Sequence, residues 1–227
     1  TIILAIGIPI WFVFFNQNKQ VLIVSNTDDQ AKKILTRIKT QLESNELLKW
    51  LIPNKPDVWN KSEVTLNNGC TIFCKPYNIN LRGEHVSITV CDEVSQYKDG
   101  SGKRVHDKTH GTLFERYVIT RATAKGGKLI GITTAYSATD LAMKMIANPA
   151  FKGKIYMAQK KSAFVDNPDT PEFHSKIYEG LKEDDPVFPD VYPIEKLMTI
   201  RNTIGHLAYD REFLSNVLTH ADSIFPP

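Results

Sequence analysis

The protein has 227 residues, which is enough for one large domain or for one domain with a small appendage. Its hydrophobic fraction of 42% and its charged fraction of 23% are typical of a globular protein with a sizeable core. The net charge of +3 is compatible with a nucleic-acid partner, but it is lower than the charge of a strongly basic nucleic-acid-binding protein. Three cysteines, Cys70, Cys74 and Cys91, are too few for a disulfide scaffold, and they lack the further ligands of a zinc site.

The first predicted element is the almost purely apolar segment from Ile2 to Phe15. It is shorter than the roughly 17–25 residues that cross a bilayer, and it lacks the basic region and cleavage site of a signal peptide. We therefore expect a buried core element. Because a domain seldom begins inside such an element, we expect sequence upstream of Thr1, and either a domain boundary or an excised intein would account for this start.

A strand and a helix are predicted next. Gln20–Ser25 is a short β-rich run, typical of a parallel strand that is buried on both faces. From Asp28 to Leu48 apolar residues recur at helical spacing, and Thr27 or Asp28 is suited to cap the start. The predicted core positions of this helix are Ala31, Ile34, Leu35, Ile38 and Leu42.

The remaining pattern predicts a hairpin and further strands and helices. Alternating residues from Val64 to Cys74 flank the turn pair Asn68-Gly69, and Val86–Cys91 and Lys128–Thr133 are short buried strands. The other predicted elements are a loop at Lys98–Thr112, helices at Leu113–Ala124, Thr139–Asn148, Ile194–Asn202 and Asp210–Leu218, and a strand at Lys154–Ala158. This order predicts an α/β fold with a mostly parallel sheet and crossover helices over residues 1–164, and a small helical extension over residues 165–227.

Two adjacent acids, Asp92 and Glu93, follow directly on the predicted strand Val86–Cys91. In P-loop nucleotidases the first acid of such a pair helps to hold Mg²⁺, and the second polarises the attacking water. Phosphoryl transfer depends on positioning and on charge neutralisation, so both groups must lie at the open end of a rigid strand. The alternative is a strand that simply runs into a charged turn.

Three other features favour nucleotide chemistry. Thr133 and Thr134 end the next strand, where their hydroxyls would face a γ-phosphate or the water, although β-branched residues are also common in strands. Arg82 precedes a glycine just before the acid pair, which suits an arginine finger or an ordinary surface arginine. Thr1 would fit the last position of the phosphate loop G-x-x-x-x-G-K-[ST], of which the chain contains no complete copy.

The order of these features resembles the ATPase domain of the large terminase subunit of tailed viruses, in particular the T4-like packaging motors. The matching segments are Thr1–Asn16 as the Walker A threonine and its helix, Gln20–Ala31 as the next strand and helix, Glu63–Ile72 as the hairpin, Leu81–Glu93 as the stretch that ends in Walker B, Ile132–Thr134 as the coupling motif, and Arg211–Phe225 as the segment that closes the domain. The resemblance covers nearly the whole chain, and it implies a RecA-like P-loop NTPase fold.

The resemblance also implies roles and partners. Asp92 would hold Mg²⁺, Glu93 would be the catalytic carboxylate, Arg82 would act as a finger on a neighbouring subunit, and Thr1, Thr133 and Thr134 would lie against ATP. The motor would package double-stranded DNA into a procapsid in the host cytoplasm, as a ring homo-oligomer with the portal protein and the small terminase subunit and without a membrane. Because the Walker A lysine, the adenine-binding part and the nuclease are absent, we expect the isolated chain to hydrolyse ATP poorly or not at all.

Three other readings remain open. A helicase-like nucleic-acid translocase shares the strand with two acids, but the segment after Phe164 is short for a second RecA-like domain. A catalytically incomplete module that only binds DNA or a partner would explain the missing phosphate loop. A membrane-associated protein anchored by Ile2–Phe15 is disfavoured by the length of that segment.

Overall fold

In the computed structural model the described residues are 2–55, 57–77, 86–97, 127–134, 181–182 and 184–214, with the single positions 141 and 145. The chain divides into two compact units, residues 1–133 and residues 134–227. The first unit contains a five-stranded sheet, and the described part of the second contains two helices. The boundary predicted after residue 164 stays a prediction.

The sheet is mostly parallel, as predicted. Its strands are β1 (Gln20–Ser25), β2 (Glu63–Thr65), β3 (Thr71–Pro76), β4 (Ile88–Asp92) and β5 (Lys128–Ile132). They lie in the order β2-β3-β1-β4-β5, in which β2 alone is antiparallel to its neighbour. Because β1 has β3 on one side and β4 on the other, the chain changes direction across the sheet at the carboxyl end of β1. Such switch points open crevices in which α/β proteins bind ligands.

The apolar N-terminal segment forms a π-helical stretch, Ile2–Gly7, that runs into α1 (Ile8–Phe14). The predicted buried core element is confirmed for one face of this segment only. Ala5 and Val13 are fully buried, whereas Trp11 is 59% exposed and Phe15 is 68% exposed. A short helix that packs on a sheet buries only one face, so a segment that is apolar all round leaves its other face open. Among the described helices, none is long and apolar enough to cross a membrane.

The long helix α2 (Asp28–Ser44) packs on β1 and β3. Thr27 caps its start, since the Thr27 hydroxyl accepts from the backbone N–H of Gln30 at 3.3 Å, and two acids in the first turn suit the positive end of the helix dipole. The five predicted core positions are the five buried residues of the helix: Ala31, Ile34, Leu35, Ile38 and Leu42.

The predicted hairpin is confirmed as β2 and β3, with Val64 paired to Ile72. Gly69 has a φ of +77°, so the turn depends on a residue that tolerates the left-handed region. Strand β4 is fully buried, as predicted, but β5 is not. Lys128 and Gly131 are exposed and the rest of β5 is half-buried, because β5 is an outer strand in the described sheet.

In the second unit, α3 (Ile194–Ile204) and α4 (His206–Leu214) meet at Gly205, which has a φ of +82°. Leu197, Tyr209 and Leu214 form a small core, and the Tyr209 and Phe213 rings stack at 5.1 Å. Both helices were predicted, but α3 extends two residues beyond the predicted end at Asn202, and α4 begins four residues before the predicted start at Asp210. The predicted elements at 113–124 and 154–158 and the loop at 98–112 lie outside the described residues. Positions 141 and 145 of the helix predicted at 139–148 are helical.

Candidate functional site at the carboxyl end of the sheet

Strand β4 delivers Asp92 to the carboxyl end of the sheet. The strand lies between β1 and β5, and every one of its residues is buried. Asp92 is itself only 7% exposed, and it pairs in register with Ile132 of β5. A carboxylate buried to this degree must be compensated by hydrogen bonds or by a cation. Its rigid support on a central strand is what a metal-holding acid requires.

Glu93 follows in an unusual backbone conformation. Its φ of +57° and ψ of +47° are those of the left-handed helical region, which costs a non-glycine residue roughly 1–2 kcal/mol. The chain then makes a single 3₁₀ turn, Val94–Gln96, in which the N–H of Gln96 donates to the Glu93 carbonyl at 2.8 Å. Strain of this kind concentrates at functional sites and persists only where the surrounding structure imposes it.

Thr133 contacts this turn from the neighbouring strand. Because Asp92 and Ile132 are register partners in a parallel ladder, Thr133 leaves β5 at the level at which Glu93 leaves β4. The backbone N–H of Ser95 donates to Thr133 Oγ1 at 3.0 Å. Thr133 therefore lies at the same edge as the acid pair, as the sequence predicts, and it contacts the turn that carries them. Thr134 is half-buried and belongs to the second unit.

Two tyrosines that sequence analysis did not single out complete this edge. Tyr97, at the end of the 3₁₀ turn, is fully buried, and its hydroxyl donates to the Val24 carbonyl of β1 at 3.1 Å. Its ring stacks on that of Tyr77, which follows β3, at 4.3 Å with 15° between the planes. A tyrosine four residues after an acid pair carries no recognisable sequence signal, because its partners Tyr77 and Val24 are distant in the chain.

The environment behind the acid pair is apolar enough to keep neighbouring groups neutral. Burial raises the pKa of the Cys91 thiol to about 12, and a hydrogen bond with Tyr97 opposes part of that rise. Burial also raises the pKa of Tyr97 well above its usual value, with further contributions from Cys91 and Asp92. The thiol and the phenol at the back of the site therefore stay uncharged well above neutral pH.

The oxygen donors at this edge fit a magnesium ion that arrives with a nucleotide. Mg²⁺ in nucleotide sites takes one or two carboxylates and completes its shell with phosphate and water oxygens. Asp92 supplies such a hard donor at a fixed position. Among the described residues there is no cluster of three or more metal-binding side chains.

The structure thus brings together three of the predicted site residues, Asp92, Glu93 and Thr133, at one edge of the sheet. Thr1 and Arg82 lie outside the described residues. The chemical roles of all the predicted residues stay predictions.

Comparisons with known proteins show which solved structures share this fold. No family model matches the chain, and no curated protein matches it in sequence. Solved structures do match. The large terminase ATPase domain of a Thermus phage, in an arginine-to-alanine variant, aligns with a TM-score of 0.58 at 14% identity, covering 92% of this chain and 81% of that one.

Two longer proteins align in the same way. The large terminase of bacteriophage HK97 has a TM-score of 0.56 at 14% identity, covering 92% of this chain and 43% of that one. The large terminase of a thermophilic bacteriophage, solved in complex with ADP, has a TM-score of 0.53 at 12% identity, covering 94% of this chain and 44% of that one. The chain spans less than half of these two proteins, and its fold is that of phage large terminase ATPase domains.

Proposed function

We propose that this chain is the ATPase part of a large terminase, a motor that hydrolyses ATP to drive double-stranded DNA into a viral procapsid. The observation that carries the proposal is the placement of Asp92 and Glu93 at the carboxyl end of a buried central strand, beside Thr133 of the next strand. The terminase ATPase fold supports the same reading.

The proposed chemistry uses few groups. Asp92 would hold a magnesium ion, which would supply the positive charge that phosphoryl transfer requires. Glu93 accepts hydrogen bonds from a water molecule and takes its proton as the water oxygen attacks the γ-phosphorus. The bond between the γ-phosphorus and its bridging oxygen breaks, and ADP and phosphate leave. Thr133 and Thr134 lie near the transferred phosphate, and they transmit the change that follows its release to the rest of the protein.

Arg82 completes the proposal as a finger that reaches the phosphates of a neighbouring subunit in a ring. Its support is its place in the sequence, ahead of a glycine and ten residues before Asp92. Mixing Arg82→Ala subunits with Glu93→Gln subunits tests the role, since a finger that acts between subunits gives active sites where the intact Glu93 of one subunit meets the intact Arg82 of its neighbour. Mixed rings as inactive as either variant alone would reject the action between subunits.

The assembly proposed around this motor is a ring homo-oligomer that works in the host cytoplasm with the portal protein and the small terminase subunit. A helicase-like translocase and a binding module without catalysis are the competing functions. Hydrolysis stimulated by any single-stranded nucleic acid, with no dependence on linear double-stranded DNA, would favour the translocase. Nucleotide-independent DNA binding without hydrolysis would favour the module.

The deciding experiment measures DNA-stimulated ATP hydrolysis by the full-length protein, because these 227 residues contain no complete phosphate loop. We expect Glu93→Gln to lower kcat by about 10²–10⁴-fold while nucleotide binding is retained, since the amide cannot take the proton. Glu63→Gln, the same change of charge on β2 at the far edge of the sheet, is the matched control and should leave kcat unchanged. Normal hydrolysis by Glu93→Gln would remove Glu93 from the catalytic role.

A further inference from the structure

The turn that carries Glu93 is fixed at both of its ends. At the start, Asp92 belongs to the ladder between β4 and β5. At the end, four residues after Glu93, the buried Tyr97 hydroxyl donates to the Val24 carbonyl of β1 at 3.1 Å. The five residues from 93 to 97 therefore bridge from the end of β4 to the central strand of the sheet.

Tyr97 is held by more than this hydrogen bond. Its ring stacks on Tyr77, which directly follows β3, and its hydroxyl also interacts with the Cys91 thiol of β4. Tyr77 is tied in turn to β1, because its N–H donates to the Ser25 carbonyl at 2.8 Å. Three neighbouring strands thus determine where Tyr97 lies. A fully buried aromatic side chain with a hydrogen-bonded hydroxyl has few alternative positions.

The middle of the turn is fixed separately. The Ser95 N–H donates to Thr133 Oγ1 at 3.0 Å, and this contact is made in the partly buried edge between β4 and β5. Two hydrogen bonds inside the turn restrict its backbone further: the Gln96 N–H donates to the Glu93 carbonyl, and the Tyr97 N–H donates to the Val94 carbonyl. A short segment that is fixed at both ends and in the middle can adopt few backbone conformations, and the one found here has Glu93 in the left-handed region.

We infer that Tyr97 and Thr133 are positioning residues for Glu93, which hold its backbone in the left-handed conformation and thereby set the direction in which its carboxylate leaves the sheet. This inference rests on the proposed role of Glu93. It gives Thr133 a structural link to the acid pair that is separate from any contact with phosphate. Loss of either anchor frees the turn to relax towards ordinary backbone angles, which misplaces the carboxylate with respect to the water.

Two substitutions remove the anchors with little change of shape. Tyr97→Phe keeps the ring and its stack on Tyr77 but removes the hydroxyl that bonds Val24. Thr133→Val keeps the branched side chain but removes the acceptor for Ser95, and Thr133→Ser restores the hydroxyl. In the full-length protein we expect kcat for ATP to fall by about 10–100-fold in Tyr97→Phe and in Thr133→Val, since small misplacements of catalytic groups have effects of this size.

The split between kcat and KM separates positioning from nucleotide binding. Positioning predicts a lower kcat with KM for ATP within about twofold of the wild type, and it predicts that Thr133→Ser recovers most of the lost rate. A raised KM with normal kcat in Thr133→Val would show a nucleotide contact and would overturn the positioning role of Thr133. The control is Tyr209→Phe, which removes the hydroxyl of another buried tyrosine in the second unit and should leave kcat unchanged.

Hydrogen exchange of the Ser95 amide tests the anchor without any activity. Thr133→Val should speed this exchange by roughly fivefold or more, the factor expected for one lost hydrogen bond, and Thr133→Ser should not. Unchanged exchange in Thr133→Val would overturn the anchor even if ATP is hydrolysed. If the wild type hydrolyses ATP and neither variant changes kcat beyond its loss of folded protein, the inference fails while the proposed function stands. Wild-type protein that does not hydrolyse ATP would reject the proposed function, and the exchange result would still decide the anchor.

Discussion

The side-chain amide of Asn68 donates to the backbone carbonyl of Asn16 at 2.8 Å, across 52 residues of chain. The same amide group donates to the carbonyl of Val13 at 2.7 Å. These carbonyls lie at and just beyond the end of α1, where the helix leaves its last carbonyls without partners in the helix. The turn of the β2–β3 hairpin therefore caps α1 and fixes it to the sheet.

Removal of this cap should destabilise the fold. We expect Asn68→Ala to lower the free energy of unfolding by about 1–3 kcal/mol, because it removes these two partly buried hydrogen bonds and a third, in which Asn68 Oδ1 accepts from the Cys70 N–H. Asn68→Asp should cost at least as much, since a carboxylate cannot donate and faces the negative end of the helix dipole. Urea denaturation measures both. Asn67→Ala is the control, because the Asn67 amide makes one exposed bond to Trp50, and an equal loss in that variant would contradict the assignment.

Gly69 lies in the same turn and leaves little room for a side chain. Its φ is +77°, and a Cβ at this position would clash with Oδ1 of Asn18. We expect Gly69→Ala to cost more than the roughly 1–2 kcal/mol of the left-handed conformation alone, because Asn18 must also move. In an Asn18→Ala background only the backbone term remains, so the same substitution should cost less there. Thermal or urea unfolding measures the cost in both backgrounds. Equal costs would show that the contact with Asn18 does not contribute to the destabilisation by Gly69→Ala.

Regular elements could be predicted from the sequence because their signals are local. The five core positions of α2 follow from a spacing of three and four residues, and the Thr27 cap follows from the hydroxyl that precedes it. The run of apolar residues before Asp92 predicts a buried strand wherever that strand lies. The exposure of β5 could not be predicted in this way, because it depends on the position of the strand at the edge of the described sheet.

The geometry of the site could be predicted only in part. The ends of two parallel strands meet at one edge, so Asp92 and Thr133 could be placed together from their positions in the sequence. The left-handed Glu93 could not, since glutamate gives no signal for positive φ and the cause lies in Tyr97, Val24 and Thr133. Tyr97 and Val24 are 73 residues apart, and no local pattern encodes such a contact.

The left-handed backbone at position 93 predicts the order of stability of two inactive variants. Glycine adopts the left-handed region without a steric cost, so we expect Glu93→Gly to be more stable than Glu93→Ala by about 1 kcal/mol. Both variants should lose ATP hydrolysis, because both lack the carboxylate. Urea denaturation of the two variants beside the wild type tests the order of stabilities. An alanine variant that is as stable as the glycine variant would show that position 93 is not strained.

Two buried thiols, one behind the site and one on β3, predict that stability falls in alkaline solution. Burial raises the pKa of the Cys91 thiol from 9.0 to about 12 and that of the Cys74 thiol from 9.0 to about 11. Above pH 9 the unfolded chain loses protons that the folded chain still binds. The stabilisation from each neutral thiol is therefore complete below pH 9 and is lost as the pH rises towards the folded value, at up to about 1.4 kcal/mol per pH unit for each group.

Urea denaturation between about pH 8 and pH 11 measures this loss. Cys91→Ala should reduce the slope of stability against pH across the whole range above 9, whatever it does to stability at pH 8, because alanine has no proton to lose. Cys74→Ala should reduce the slope mainly between pH 9 and 11, since its folded pKa is lower. If Cys91→Ala has the same slope of stability against pH as the wild type, the Cys91 thiol does not stay protonated in the folded protein. The conclusion that the thiol at the back of the site is uncharged would then be wrong.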